Sequence, residues 1–157
     1  MKTIGWFHSK SPEDWKKWLS NFAVYDPTGF YPSVEAQFQA MKFCYSNHPE
    51  HRLLIDWKNL SSKESKRIGS KSYFKQHGIQ LDIEKWNKDR IPLMTELLRI
   101  RYKKDKNFRS ILKRCKKENI DLYHYSLRDQ FWGAYQRKKD GVIVGNNHLG
   151  KILNKLS

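Results

Sequence analysis

Glu35, Gln39 and Lys42 stand at i, i+4 and i+7 within the stretch YPSVEAQFQAMKF. On a helix, at about 100° per residue, their polar ends fall in one arc. A carboxylate there can accept a proton or stabilise a developing positive charge. The lysine can hold a phosphate as a point charge, or act as a nucleophile once burial makes it neutral. No other charge occurs between Val34 and Tyr45, so the stripe is isolated among apolar and amide residues. With Ser33 as N-cap, the capping-box position is Ala36, and Glu35 is free of that task, although it still suits the positive helix end. Spacing alone leaves two readings open: a solvated edge, or one wall of a functional cleft.

A second group of residues points to phosphate. The segment 99–117 holds ten Lys/Arg against the single acid Asp105. With Phe108, Ile111 and Leu112 turned inward, Arg99, Arg101, Lys103, Lys104, Arg109 and Lys113 form a candidate nucleic-acid contact face, with Tyr102 and Tyr123 close in sequence. A merely solvated basic face is the plainer alternative. The stretch GNNHLG (145–150) offers backbone N–H groups ahead of a helix, an arrangement suited to a phosphate, although glycines also serve ordinary loops. His124 and His148 have no spaced partners, so no metal site is expected.

The net charge of +15 on 157 residues repels itself and attracts polyanions. Nucleic acid is the leading partner and a phosphate-bearing small molecule the second. Hydrophobic content is only 38%, which the 14% of aromatic residues offsets, because each buries a large area. Length fits one domain. No apolar run is long enough for a membrane span, and MKTIGWFHSK lacks the apolar core of a secretion signal. Cys44 and Cys115 have no metal-ligand spacing and read as reduced thiols of a cytoplasmic protein.

The elements that must position these groups follow from periodicity and capping. TIGWFHS is a short strand with Ile4, Trp6 and His8 on one face. SPEDWKKWLSNF opens a helix with Ser11 as N-cap and Pro12 next. A helix runs from about Ser33 to Tyr45, with Val34, Phe38, Met41 and Tyr45 as its core stripe. PEHRLLIDWKNL reads as another helix, and SSKESKRIG as one capped by Ser61 or Ser62 and ending near Gly69. The longest pattern, from Asp82 to Asp105, carries Pro92 as a kink or break. NFRSILKRCKKEN is helical, VIV a short strand, and the tail an amphipathic helix. The fold class is mainly α (α+β), multihelical with a few short strands.

Several short motifs, in this order, are LSNF (19–22), YPSVEAQFQAMKF (31–43), Trp86 with Arg90 and Met94, DQFWG (129–133) and GNNHLG. Together they resemble the NADAR family, also called YbiA-like, across nearly the whole chain. The resemblance implies a mainly helical domain and an N-glycosidase that cleaves a bond between nitrogen and a phosphorylated ribose. It places Glu35, Lys42 and Asp129 in catalytic positions. It places Asn21, Phe22, Gln39, Trp86, Arg90, Trp132, Gly133 and Asn147 around the substrate. Arg90 stands where the family usually has lysine, SVEA replaces SVEH, and His124 stands where glutamate is common.

Cleavage of such a bond builds positive charge on the anomeric carbon and negative charge on the departing base. Glu35 suits the sugar-facing role, with Asp129 as second carboxylate. Lys42 either holds the diphosphate or attacks the anomeric carbon to give a Schiff base. Trp86 and Trp132 suit stacking on a base or on the adenine, although a tryptophan more often belongs to the core. The expected activity is removal of ADP-ribose from guanine, in DNA or another nucleic acid, with no cofactor. Cleavage of riboflavin-pathway intermediates is the enzymatic alternative, and a non-catalytic nucleic-acid or ADP-ribose-binding module the alternative of another class.

Overall fold

A computed structural model describes residues 2–156. In chain order the elements are β1 (Thr3–Phe7), α1 (Asp14–Leu19), α2 (Val34–Lys42), α3 (Ser62–Ile68), α4 (Lys71–Gln76), α5 (Ile83–Lys104) and α6 (Lys106–Lys117). β2 (Ile120–His124), β3 (Tyr135–Gln136), β4 (Ile143–Val144) and α7 (His148–Lys155) complete them. Short 3₁₀ turns occupy Phe43–Tyr45, Pro49–Leu54 and Trp57–Asn59. The fold is mainly helical with a few short strands, as its pattern predicts. The chain forms two compact units, one of residues 1–20 and 99–157, the other of residues 21–98.

In the first unit, β1 pairs in parallel with β2, Trp6 opposite Tyr123 and Phe7 opposite His124. Alternation sends Phe7 and Leu122 to a buried face and leaves Ile4 and Trp6 on the open one. Phe108 and Leu112 of α6, with Leu149, Ile152 and Leu153 of α7, fill the buried side. A fully buried side chain of that size contributes about 1.5–3 kcal/mol relative to exposure, and Phe108→Ala would remove about 3–5 kcal/mol. α7 needs glycine where it meets β2: a Cβ on Gly150 would lie 2.2 Å from the Leu122 carbonyl oxygen.

In the second unit, α2 is buried on almost every side. Val34 and Phe38 are buried as their stripe predicts, yet the larger core lies on another face. There Ala36, Ala40 and Phe43 pack with Trp57, Ile68, Phe74 and Ile79. The Ser33 hydroxyl accepts the Ala36 amide at 3.1 Å, which fixes the helix start. Ser61 and Glu64 form a reciprocal capping box at α3.

Four expectations are corrected. Helix α1 begins at Asp14 after the cap residue Glu13, because the Ser11 hydroxyl is spent on the His8 amide at 2.8 Å. The stretch 49–59 forms 3₁₀ turns instead of one helix. The Trp57 indole N–H takes the Arg52 carbonyl at 2.9 Å, and Leu53 and Leu54 stay exposed, so no amphipathic face builds up. Helix α5 continues through the exposed Pro92, which excludes the break and not the kink, while Met94, Leu97 and Leu98 anchor the helix on its other side. Strands β2 and β3 and the short helix α4 lie where no element is expected.

Candidate active site

Helix α2 delivers Glu35, Gln39 and Lys42 to one environment in the second unit. Glu35 and Gln39 are each only 8% exposed, which excludes the solvated edge for both. Burying a carboxylate is costly unless it accepts hydrogen bonds. Here the Gln39 Nε2–H donates to Glu35 Oε1 at 2.9 Å. The amide of Glu35 itself donates to the Asn21 carbonyl at 3.1 Å, tying the LSNF motif to the start of α2.

Lys42 is half-buried. Its Nζ donates to the Gly69 carbonyl at 2.8 Å and lies 5.5 Å from the Phe74 ring centre and 5.7 Å from that of Trp86. Burial pushes its pKa below the ordinary lysine value, Glu35 opposes that shift, and the cations Lys71 and Arg90 reinforce it. The amine therefore loses its proton more readily than an exposed lysine.

Two members of this environment carried no sequence signal of function. Gly69 supplies the carbonyl for Lys42 and also makes room for Gln39: a Cβ there would sit 1.7 Å from Gln39 Oε1. Lys71 adds a second cation near Lys42. The glycine after the RI of α3 reads as a helix end, and nothing in the spacing links it to a residue so far upstream.

Asn21 is buried, with Nδ2 directed to Met94 Sδ at 3.5 Å and Oδ1 without a hydrogen-bond partner among the described residues. Gln39 Oε1 is likewise buried and without one. Two carbonyl oxygens in that condition are acceptors for N–H or O–H groups of a ligand. Phe22 is half-buried and its carbonyl accepts the Ser62 hydroxyl at 2.9 Å. Arg90 is half-buried. Trp86 corrects the stacking expectation. It is 6% exposed, with Phe38 at 5.1 Å and Tyr45 at 5.3 Å between ring centres, so its faces are already packed.

The first unit gathers Asp129, Trp132, Gly133 and Asn147 in a network of its own backbone. Asp129 Oδ1 accepts the amides of Phe131 at 3.1 Å and Trp132 at 2.9 Å, so this carboxylate shapes the turn that carries Trp132. Gly133 is buried, and a Cβ there would meet the His124 carbonyl at 2.9 Å. Asn147 sits in the left-handed region at φ 51°. Its Oδ1 accepts the His124 amide at 2.9 Å and its Nδ2 donates to the Leu122 carbonyl at 3.1 Å. That side chain bridges strand β2 and is spent on backbone.

GNNHLG also departs from its expected phosphate role. The amides of Asn146, Asn147, His148 and Leu149 donate to the carbonyls of Gln130, Gly133, Phe131 and Trp132, at 2.7–3.1 Å. Donors so occupied cannot cradle an anion. Arg101 is the clearest correction among the basic residues. It is 0% exposed, held by Asp105 at 3.1 Å, by the Ser20 carbonyl at 3.0 Å and by the Trp18 carbonyl, with Phe108 4.0 Å from its guanidinium. It is a core cation and leaves the contact face. Arg109 is half-buried and donates to the Tyr102 carbonyl at 2.7 Å, closing the end of α5, whereas Arg99, Lys103, Lys104 and Lys113 are exposed.

Among the described residues no three His, Cys, Asp or Glu side chains are placed to hold a metal ion. Among the described residues no helix is long and apolar enough to cross a membrane. Cys44 and Cys115 are free.

The chain is similar in structure to the Escherichia coli protein YbiA, solved by NMR. The TM-score is 0.69 at 25% identity, over 99% of this chain and 84% of that one. No functionally curated protein matches it. The NADAR domain model matches residues 6–157, almost the entire length, and the chain belongs to the NADAR family.

Proposed function

We propose that this protein is a hydrolase of ribosyl N-glycosidic bonds that removes ADP-ribose from guanine in nucleic acid. The observation that carries the reading is the buried Glu35 carboxylate, oriented by Gln39, on the same helix as a lysine whose charge is disfavoured. N-glycosidase chemistry follows from the family. The preference for nucleic acid over a free metabolite draws support from the charge of +15 and from the exposed Arg99, Lys103, Lys104 and Lys113.

In the proposed reaction the Lys42 amine attacks the anomeric carbon. The bond from that carbon to the base nitrogen breaks with its electron pair leaving on the base, which takes up a proton. Ring opening gives an imine, and water, activated by Glu35, adds to it and returns the amine and the free sugar. Gln39 holds the carboxylate that relays these protons, and Lys71 and Arg90 balance phosphate charge. Asp129 acts as a positioning residue for Trp132, not as a second catalytic carboxylate.

The test is to incubate the protein with ADP-ribosylated DNA and, separately, with phosphoribosylated riboflavin-pathway intermediates, and to measure sugar release. Release from the DNA and not from the free intermediates is the expected result. The reverse would reassign the substrate, and tight binding without release from either would make the chain a binding module. Glu35→Gln is expected to abolish turnover and leave the fold intact; an active variant removes Glu35 from the chemistry. Borohydride should trap sugar on Lys42.

A further inference from the structure

The parallel pair β1–β2 has one face packed and one face open. On the open face Trp6 lies beside Tyr123 with ring centres 5.1 Å apart and meets Tyr125 edge-on at 6.3 Å. His8 adds a ring 5.3 Å from Tyr125. Tyr125 is 39% exposed, and Ile4 in the same row is 40% exposed. Trp6, His8 and Tyr125, with Glu13, Lys16 and Gln136, line an open cleft of about 370 Å³. The His8 Nδ1 accepts the Lys10 amide at 3.2 Å, whereas the indole of Trp6 and the hydroxyls of Tyr123 and Tyr125 point to no hydrogen-bond partner among the described residues.

This row, half-buried at Trp6, His8 and Tyr123 and exposed at Tyr125, offers ring faces to an occupant. Its surroundings select the chemistry. Glu13 is neutralised by Lys16 at 2.8 Å, so the cleft has no net negative charge of its own. Lys10 follows His8 in sequence, and Lys138 and Lys139 follow Gln136; all three are exposed and make no ion pair among the described residues. Flat rings flanked by uncompensated cations match a chain of stacked bases with a phosphate backbone.

We propose that the open face of β1–β2 is a stacking platform for single-stranded nucleic acid, with bases on Trp6, Tyr123 and Tyr125 and phosphates passing Lys10 and Lys138–Lys139. A duplex hides the faces of its bases, so the platform discriminates by strandedness and not by sequence. The inference goes beyond the glycosidase reading and does not depend on turnover.

The experiment is fluorescence anisotropy of the full chain with labelled, unmodified oligothymidine, with a duplex of matching length, and with inorganic polyphosphate. Oligothymidine should bind more tightly than the duplex. Tyr125→Ala and Trp6→Ala should each weaken oligothymidine binding by about fivefold to a hundredfold, the usual worth of one stacked base. Tyr125→Phe should retain it, and polyphosphate affinity should not change. Since Tyr125 is half in water, its variant tests the idea even where Trp6→Ala does not fold. No binding of the wild type, equal preference for duplex, unchanged affinity in Tyr125→Ala, or an equal loss of polyphosphate binding would each overturn the proposal. Sugar release measured on the same variants reports the glycosidase reading separately.

Discussion

Gly69→Ala tests the packing that supports Glu35. Gly69 has φ −85° and ψ 7°, a conformation open to alanine, so backbone strain contributes nothing. The obstacle is steric. The new methyl would lie 1.7 Å from Gln39 Oε1, 2.6 Å from its Cδ and 3.2 Å from its Cβ. Gln39 is buried, so its amide cannot swing into water; it must leave the position from which it donates to Glu35. Losing a hydrogen bond to a buried charge costs about 1.5–3 kcal/mol, and overpacking a buried site about 1–3 kcal/mol. These are two descriptions of one displacement, so the expected loss is about 2–3 kcal/mol, read by urea unfolding as a lower midpoint at unchanged slope. In a Gln39→Ala background only the 3.2 Å approach to Cβ survives. There Gly69→Ala should cost less than about 1 kcal/mol, leaving a coupling of about 1–3 kcal/mol. An equal cost in both backgrounds would refute the reasoning, because the clash would then lie elsewhere.

Lys42 gives a pH signature. Its folded pKa is below the ordinary 10.5, so the fold is penalised while the amine is protonated, and the penalty fades as pH rises through the folded value toward 10.5. Wild type should therefore gain stability relative to Lys42→Met over that alkaline window; a difference that does not vary with pH would contradict the shift. Asp105→Ala should destabilise by about 3–5 kcal/mol, since it strands the buried Arg101. Adding Arg101→Met should recover part of that in thermal or urea unfolding, but not the α6 cap that Asp105 provides to the Phe108 amide. Lys103→Gln with Lys113→Gln should lower the magnitude of the salt slope of duplex DNA binding by about 0.9 for each phosphate no longer neutralised. An unchanged slope would remove these two residues from the basic face that meets DNA.

The sequence is most readable where a single element carries the signal. Ser33 with its partner amide, a serine cap at Ser61 and the arc of Glu35, Gln39 and Lys42 all depend on local spacing, and each matches the structure. Two-residue strands such as β3 have no periodicity to detect. The face of β1 is identifiable as a row, yet which row is buried depends on α6 and α7, far along the chain. The basic run misleads for a related reason. Arg101 shares its composition with Arg99 and Lys103, and only tertiary contacts separate a buried guanidinium from its exposed neighbours. GNNHLG misleads because free amides and amides bonded to a distant turn have the same sequence.

The distant partners also decide the chemistry of α2. Read alone, the helix pairs one carboxylate with one ammonium, and such a pair would keep Lys42 charged. Folding adds Lys71 and Arg90 to the same environment and buries the amine against Phe74 and Trp86. Of the charges that act on the Lys42 amine, Glu35 favours its proton while Lys71 and Arg90 oppose it, an imbalance relieved either by releasing a proton from Lys42 or by taking in an anion. A substrate phosphate placed directly on Lys42 would restore its proton and end its use as a nucleophile. The attacking role therefore requires the phosphates to settle on Lys71 and Arg90, leaving Lys42, tethered to the Gly69 carbonyl, next to the sugar.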